Sequence, residues 1–315
     1  MAWWRLTWSA TSEGHRSNMS RPRALITGAN GFTGKYVVSE LVAAGYEVIG
    51  LSHGAGHGPG KTIRVDVLDR GALREAVASI SPDVVLHLAG ISFVAHGDVE
   101  EIYRVNIAGT RNLLEALASL TRQPSIVVLA SSANIYGNVD VEQVTENTPP
   151  APANDYAVSK LAMEYMANLW KSQLPIVITR PFNYTGVGQS AQFLLPKIVT
   201  HFRRSELSIE LGNTSVFRDF ADVRDVARVY RKLVEVGPVG AVLNICSGVG
   251  HTLEDILEMM AAIAGYHIDV KVNPAFVRKE DVRRLVGSNK ALFDAIGFVP
   301  SIPLSDTLMW MYGGE

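Results

Sequence analysis

Tyr156 and Lys160 lie four residues apart in the stretch Asn154-Asp155-Tyr156-Ala157-Val158-Ser159-Lys160. On a helix that spacing puts both side chains on one face. A free tyrosine, near 10, is a poor proton donor or acceptor at neutral pH, so it needs help from its surroundings. A nearby ammonium favours the charged form of the phenol and is expected to lower its acidity constant. A serine pair, Ser131-Ser132, closes the apolar run Ile126–Ala130, where a hydroxyl is placed to polarise a carbonyl. Serine, tyrosine and lysine together suit proton transfer at a carbonyl or carbinol while a nicotinamide exchanges hydride. Tyr-x-x-x-Lys alone is common on solvated helix faces. Its weight here comes from the serine before it and from a glycine-rich turn further upstream.

That turn is TGANGFTG at residues 27–34, after the apolar run Ala24-Leu25-Ile26 and before apolar residues at helical spacing, Tyr36, Val37, Leu41 and Val42. Gly28 permits a tight turn, Gly31 lets the backbone approach a pyrophosphate, and Gly34 allows a helix to pack closely on its strand. The helix N-terminus adds unpaired N–H groups and partial positive charge. A G-x-x-G-x-x-G triplet between strand and helix therefore reads as a dinucleotide cradle.

The elements that position these residues alternate. Strands are expected at Glu47–Leu51, around Ile63–Val65, and at Val84–Leu88, Ile126–Ala130 and Ile176–Thr179. Helices are expected over Gly71–Ile80, Asn106–Leu120 and Tyr156–Trp170. Continuous apolar strands between helices indicate a parallel sheet covered on both faces. After Arg180-Pro181 the rhythm is irregular, with strands at Ala241–Ile245 and Asp269–Val272 and a helix over Thr252–Ala264. The expected organisation is a disordered extension at 1–20, a nucleotide-binding domain at 21–180, and a smaller substrate domain made mainly of 181–315. Segments at about 215–248 are expected to return to the first domain.

Composition bounds the rest. The chain has 315 residues, 47% hydrophobic and 19% charged, with a formal charge of −2 and one cysteine, Cys246. This is the profile of a folded globular chain, with no bulk attraction for nucleic acid or anionic membranes and no internal disulfide. No stretch approaches the ~18 apolar residues of a spanning helix. The eight histidines show no metal-ligand spacing, so no metal is expected. Residues 1–18, tryptophan-rich and then polar, carry no signal-peptide core. The expected compartment is the cytoplasm.

The chain resembles extended short-chain dehydrogenases/reductases of the nucleotide-sugar epimerase/dehydratase group from Met19 onwards. The resemblance rests on TGANGFTG, VDVLD (65–69), HLAG (87–90), VNIAGTRNLLEA (105–116), SSANIYG (131–137), YAVSKLAME (156–164), RPFNYTGVGQ (180–189) and RDFADVRDVA (218–227). It implies a doubly wound α/β Rossmann sheet with an interleaved C-terminal substrate domain. It implies Ser132 rather than Ser131 as the catalytic serine, with Tyr156 and Lys160, supported by Asn106. The implied cofactor contacts are Gly28, Asn30, Gly31, Phe32, Thr33, Gly34, Ser52, His53, Asp66, Val67, Leu88, Ala89 and Gly90, besides Tyr156 and Lys160. The implied substrate contacts are Ser92, Phe93, Asn183, Lys197, Arg218, Arg278 and Asp281, the arginines because a planar fork suits phosphate. The helices at 106–120 and 156–170 are those this group pairs into homodimers.

The second strand ends Leu51-Ser52-His53-Gly54 without the acid that would bind a ribose 2′-hydroxyl, which favours NADP(H) over NAD(H). Dehydratases of the group carry a carboxylate just after the serine position, whereas Ala133 and Asn134 stand here. Reduction of a 4-keto sugar and 4-epimerisation through a transient ketone remain. Within the group the resemblance is to bacterial reductases that convert GDP-4-keto-6-deoxymannose to GDP-rhamnose. A sensor that binds NADP without turnover is the alternative from outside enzymology.

Overall fold

Short apolar runs with the period of a strand build the first half of the molecule. In the computed structural model, residues 21–54, 60–92, 98–212, 216–274 and 283–314 are described. The expected extension at 1–20 and three expected substrate contacts, Phe93, Arg278 and Asp281, lie outside them. Strands β1 (Arg23–Thr27), β2 (Glu47–Ser52), β3 (Lys61–Arg64), β4 (Val84–His87), β5 (Ile126–Ala130) and β6 (Ile176–Pro181) alternate with helices. Those helices are α1 (Phe32–Ala43), α2 (Arg70–Ile80), α3 (Val99–Tyr103), α4 (Thr110–Ala118) and α5 (Asp155–Asn168).

Further on come β7 (Asn183–Thr185), α6 (Leu194–Arg203), β8 (Ser208–Leu211), β9 (Phe217–Asp222), α7 (Val223–Val236) and β10 (Val242–Ile245). The chain finishes with β11 (Gly250–His251), α8 (Leu253–Ala264), β12 (Asp269–Val272), β13 (Arg284–Leu285), α9 (Lys290–Ile296) and α10 (Leu304–Gly313).

The main sheet has seven parallel strands in the order β10-β6-β5-β4-β1-β2-β3. Alternate residues of each strand face opposite layers. Ala24 and Ile26 pack with Val37 and Leu41 of α1 and with Val226, Tyr230 and Leu233 of α7. Leu25 and Ile49 pack with Leu73 and Val77 of α2, Leu113 and Leu117 of α4, and Met163 and Ala167 of α5. The result is a doubly wound, Rossmann-like α/β fold, with β1 and β4 adjacent at the point where the winding reverses. Both α7 and β10 lie on this sheet although they come from the last third of the chain.

β9 belongs instead to a small sheet with β7, β11 and β13, and β12 pairs with β8. A third core, including Ile198, Phe202, Ile256, Met260 and Leu308, joins α6, α8 and α10.

One expected helix differs in detail. The segment expected from Asn106 is already helical at Val99, where Asp98 accepts from the Glu101 amide, and it runs through a π turn over Arg104–Gly109. Gly109 presses on Val67, whose Cγ2 would stand 2.7 Å from an added Cβ. The Thr110 hydroxyl donates to the Asn106 carbonyl at 2.7 Å, taking an oxygen from the regular ladder.

Candidate active site

Strand ends β1 and β4 meet under the glycine turn. Gly28 has φ +73°, and an added Cβ would stand 2.8 Å from the Ala89 nitrogen, so a side chain is excluded twice over. Gly34 is tighter still, with an added Cβ 2.1 Å from the Gly28 carbonyl. Gly31, by contrast, is exposed, and an added Cβ would stand 3.2 Å from the Gly28 carbonyl oxygen. It stands at the N-terminus of α1, and no side chain caps that helix. Leu88 and Ala89 hang on Thr27, through its carbonyl and hydroxyl respectively.

A second feature fits a polar ligand at these strand ends. The Ser131 hydroxyl, after β5, is buried at 4% exposure and has no hydrogen-bond partner among the described residues. A backbone cradle with an uncapped helix N-terminus, and an orphaned hydroxyl at the end of β5 in the same sheet, suit a dinucleotide.

Ser132, Tyr156 and Lys160 are all at least nine-tenths buried. Asn154 caps α5 by accepting from the Ala157 amide at 2.9 Å, which starts the helix just before Tyr156. Ser132 N-caps a 3₁₀ turn over Ala133–Tyr136, and its oxygen accepts twice from Asn134, from the backbone N–H and from Nδ2, each at 3.1 Å. With both lone pairs used, the serine's proton is what remains to donate, and it faces the Tyr156 oxygen.

Burial pushes the Tyr156 phenol up to about 12, and its hydrogen bond with Ser132 pulls the other way. The expected lowering by Lys160 is therefore not what governs this phenol: burial does. Lys160 itself is pushed down to about 8 by burial, against the opposing field of Glu164, and its Nζ donates to the Ala130 carbonyl at 2.8 Å.

Two buried polar networks fix α5. In the first, Asn106 Oδ1 accepts from the Ile91 amide (2.9 Å), and its Nδ2 donates to the Ile91 carbonyl (3.2 Å) and to Ser159 (3.0 Å). Ser159 in turn donates to the Tyr156 carbonyl at 2.7 Å. Through Thr110 the same network reaches His87, which sits between Thr110 (2.8 Å) and Thr27 (2.6 Å). Burial, then the charge of Lys160, pushes His87 down to about 3, so its imidazole is neutral.

In the second network, Arg180 makes a fork to Glu164, with bonds of 3.0 and 2.7 Å, one turn beyond Lys160. Its other arm donates to the Tyr136 hydroxyl (2.9 Å) and the Glu146 carbonyl (3.1 Å), while Tyr136 donates to Asn244 of β10 (2.8 Å). The 3₁₀ turn bearing Ser132 and the helix bearing Tyr156 are thus keyed to one guanidinium.

The remaining expected residues fall into groups. Ser52 accepts from the Gly54 amide, and Arg64, its partner across β2 and β3, donates to the His53 carbonyl at 3.0 Å. Asp66 is exposed and accepts from the Leu68 amide, and the Val67 carbonyl accepts from Asn112. Gly90 lies beside Asn106 and Lys160, since an added Cβ would stand 2.9 Å from Asn106 Oδ1 and 3.2 Å from Lys160 Nζ. Ser92 is exposed just beyond the anchored Ile91.

Asn183 donates to the Asp219 carbonyl, Lys197 to the Glu210 carbonyl at 2.7 Å, and Arg218 to the Phe217 carbonyl at 2.9 Å. These bonds link them to β8 and β9 of the smaller sheets, not to Ser132 or Tyr156.

Residues outside the sequence-level set also build the site. Glu164 and Arg180 could have been suspected from a carboxylate four residues after Lys160 and a charge at the end of an apolar strand. Asp219, fully buried, accepts from Ser247, Gly248 and Gly287 and so pins the loop after β10, and burial holds its carboxyl above the ordinary range. Tyr184 meets Thr33 of the glycine turn at 2.7 Å. Nothing in the sequence signals that pairing.

Comparison with known proteins adds a consistent picture. The model of the NAD dependent epimerase/dehydratase family matches residues 24–246, from β1 to just past β10. GDP-6-deoxy-D-talose 4-dehydrogenase of Aggregatibacter actinomycetemcomitans is 31% identical, over 87% of this chain and 91% of that protein. GDP-6-deoxy-D-mannose reductase of Pseudomonas aeruginosa is 32% identical, over 91% and 94%. Among solved structures, a chain from Burkholderia cenocepacia J2315 is 51% identical with a TM-score of 0.88, covering 93% of this chain and 98% of that one. RMD from P. aeruginosa in complex with NADPH is 31% identical with a TM-score of 0.80, covering 93% and 96%.

Proposed function

The chain belongs to the NAD dependent epimerase/dehydratase family, and from that premise we propose that it reduces the C4 ketone of a nucleoside-diphosphate 4-keto-6-deoxyhexose. GDP-4-keto-6-deoxymannose is the first candidate substrate and GDP-rhamnose the product. One observation carries the reading: Ser132, Tyr156 and Lys160 are buried together, with the Ser132 hydroxyl pulling down the Tyr156 pKa and Lys160 bound to the Ala130 carbonyl two residues before that serine, and no carboxylate follows the serine.

When bound along Gly28–Gly34, the nicotinamide dinucleotide supplies the hydride. Tyr156, with its pKa pushed up to about 12, holds its proton at neutral pH and gives it to the alkoxide forming at C4. Ser132, left by its two bonds from Asn134 with only its proton to give, turns that proton from the Tyr156 oxygen to the substrate carbonyl and orients it. Lys160, at about 8, titrates near working pH and keeps Tyr156 from carrying negative charge alone. Asn106 and Ser159 hold the first turn of α5 in register with the β4 loop. Asn183, Lys197, Arg218 and Ser92 are assigned to the nucleotide-sugar side.

NADPH is the favoured cofactor. The end of β2 carries no acid, Arg64 stands there against the His53 carbonyl, and a relative is known with NADPH. We assign a homodimer, with Val158 and Tyr165 of α5 and Leu169 at its C-cap as exposed apolar residues to bury, and a cytoplasmic setting.

The deciding assay combines purified protein, GDP-4-keto-6-deoxymannose and NADPH. Loss of nicotinamide absorbance with a 6-deoxyhexose product supports the reductase. In a parallel assay on a nucleoside-diphosphate hexose with a C4 hydroxyl, formation of its C4 epimer without net NADPH consumption replaces it with a 4-epimerase, the activity named for a relative from Streptomyces lividans 30% identical to this chain. Binding without turnover replaces it with a cofactor sensor.

A further inference from the structure

Tyr184 touches the cofactor turn from a strand that belongs to another sheet. It is the middle residue of β7 and lies opposite Ala221 of β9. Its phenol is 2.7 Å from the hydroxyl of Thr33, the second residue of α1. Its ring stacks on Phe32, with centroids 6.2 Å apart and planes 12° from parallel. Both Phe32 and Thr33 belong to the glycine turn, and Thr33 is 151 residues from Tyr184 in sequence.

The backbone under Tyr184 is itself secured. Gln189 donates to the Tyr184 carbonyl at 3.2 Å and accepts from Thr185 at 2.7 Å. One turn further along α1, Tyr36 donates to the Val187 carbonyl at 2.7 Å. Its ring meets Phe32 and Trp310 edge-on, and Arg224 lies 3.9 Å over Trp310. The first turns of the cofactor helix are therefore gripped by residues 184–187 and by α10.

We propose that Tyr184 is a positioning residue for the dinucleotide, fixing the Thr33 hydroxyl and the Phe32 ring at the wall of the glycine turn and thereby setting how long the cofactor stays. The proposal rests on the reading of residues 27–34 as a nicotinamide-dinucleotide site. Burial raises the Tyr184 phenol, so it carries its proton at neutral pH and is able to donate to Thr33. Thr33 then has its own proton for a second acceptor, and a pyrophosphate oxygen is the acceptor such a turn is made to hold. Tyr184 also lies close enough to Tyr156 to raise its pKa, so one side chain adjoins both the cofactor turn and the proton donor.

The test is the dissociation rate of NADPH, followed by its fluorescence during displacement, in the full-length protein. One hydrogen bond corresponds to roughly 2- to 12-fold in rate. Tyr184→Phe keeps the ring and should release NADPH faster by that factor, with KM for NADPH raised in step. Thr33→Val should do the same, Thr33→Ser should keep the parent rate, and Tyr184→Phe with Thr33→Val should be no faster than either alone. A parent-like rate in Tyr184→Phe, or additive effects in the double variant, overturns the proposal. Should Tyr184→Phe fail to fold, equal rates for Thr33→Val and Thr33→Ser overturn it instead. If the parent protein binds neither NADPH nor NADH, the dinucleotide reading itself falls, which is a different result from binding that ignores Tyr184.

Discussion

The two networks that hold α5 solve the same problem with opposite means. Around Asn106 every partner is neutral: an amide, two threonines, a serine and an imidazole kept uncharged. Around Arg180 a full ion pair is buried, with exposures of 8% and 5% for its two members. Lys160 lies between them, and its position explains the difference. A second cation beside a buried ammonium would be repelled, and the charge of Lys160 is one reason His87 stays neutral. A carboxylate one helical turn away helps the ammonium instead, and Glu164 opposes the loss of charge that burial imposes. Glu164 is bearable in the interior only because Arg180 forks onto it. The neutral network sets geometry, whereas the ionic one also sets potential.

Experiments that break this contrast are ordered by expected size. Tyr156→Phe removes the group both networks exist to place. Turnover should fall ~10²–10⁴-fold while the thermal midpoint is held, and a fall below tenfold would remove Tyr156 from proton transfer.

Arg180→Met leaves Glu164 buried and unpaired and should cost about 3–5 kcal/mol in urea unfolding. Adding Glu164→Gln should recover most of that, and no recovery would mean the pair is not the source of the cost. Asn106→Ala, in the neutral network, strands the Ile91 groups and should cost about 1–3 kcal/mol.

The smallest effect is an acid one. The folded chain holds His87 near 3, against the ordinary 6.5, so protons taken up by the unfolded chain below 6.5 are refused by the folded one. Stability present above pH 6.5 is therefore lost as pH falls towards 3. His87→Gln should flatten the melting profile by about 0.8 kcal/mol at pH 6 relative to pH 8.

The glycine turn and the Ser132, Tyr156 and Lys160 set were legible because their signals are local: glycines where no Cβ fits, and a four-residue spacing on one helix. The sheet was legible because its strands read as uninterrupted apolar runs. The direction of the Tyr156 shift was not, since burial depends on what folds over the helix, and Lys160 turned out to be desolvated along with it. The fork between Glu164 and Arg180 joins a helix to the next strand, and nothing in either segment names the other. Lys197 and Arg218 stood out as cations, but their bonds to the Glu210 and Phe217 carbonyls follow from the small sheets, whose pairings no periodicity predicts. The π turn at Arg104–Gly109 arises from close packing on Val67 and a threonine side chain, and it leaves no trace in hydrophobic spacing.

The place of β10 at the edge of the main sheet has a consequence for synthesis on the ribosome. Until residues 242–245 have emerged, the outer edge of β6 presents an unpaired row of amides and carbonyls. The nascent chain must carry an unfinished edge through the making of some sixty further residues, from Pro181 to Val242. A ribosome stalled within that interval would display a sticky half-protein, a ready substrate for chaperones.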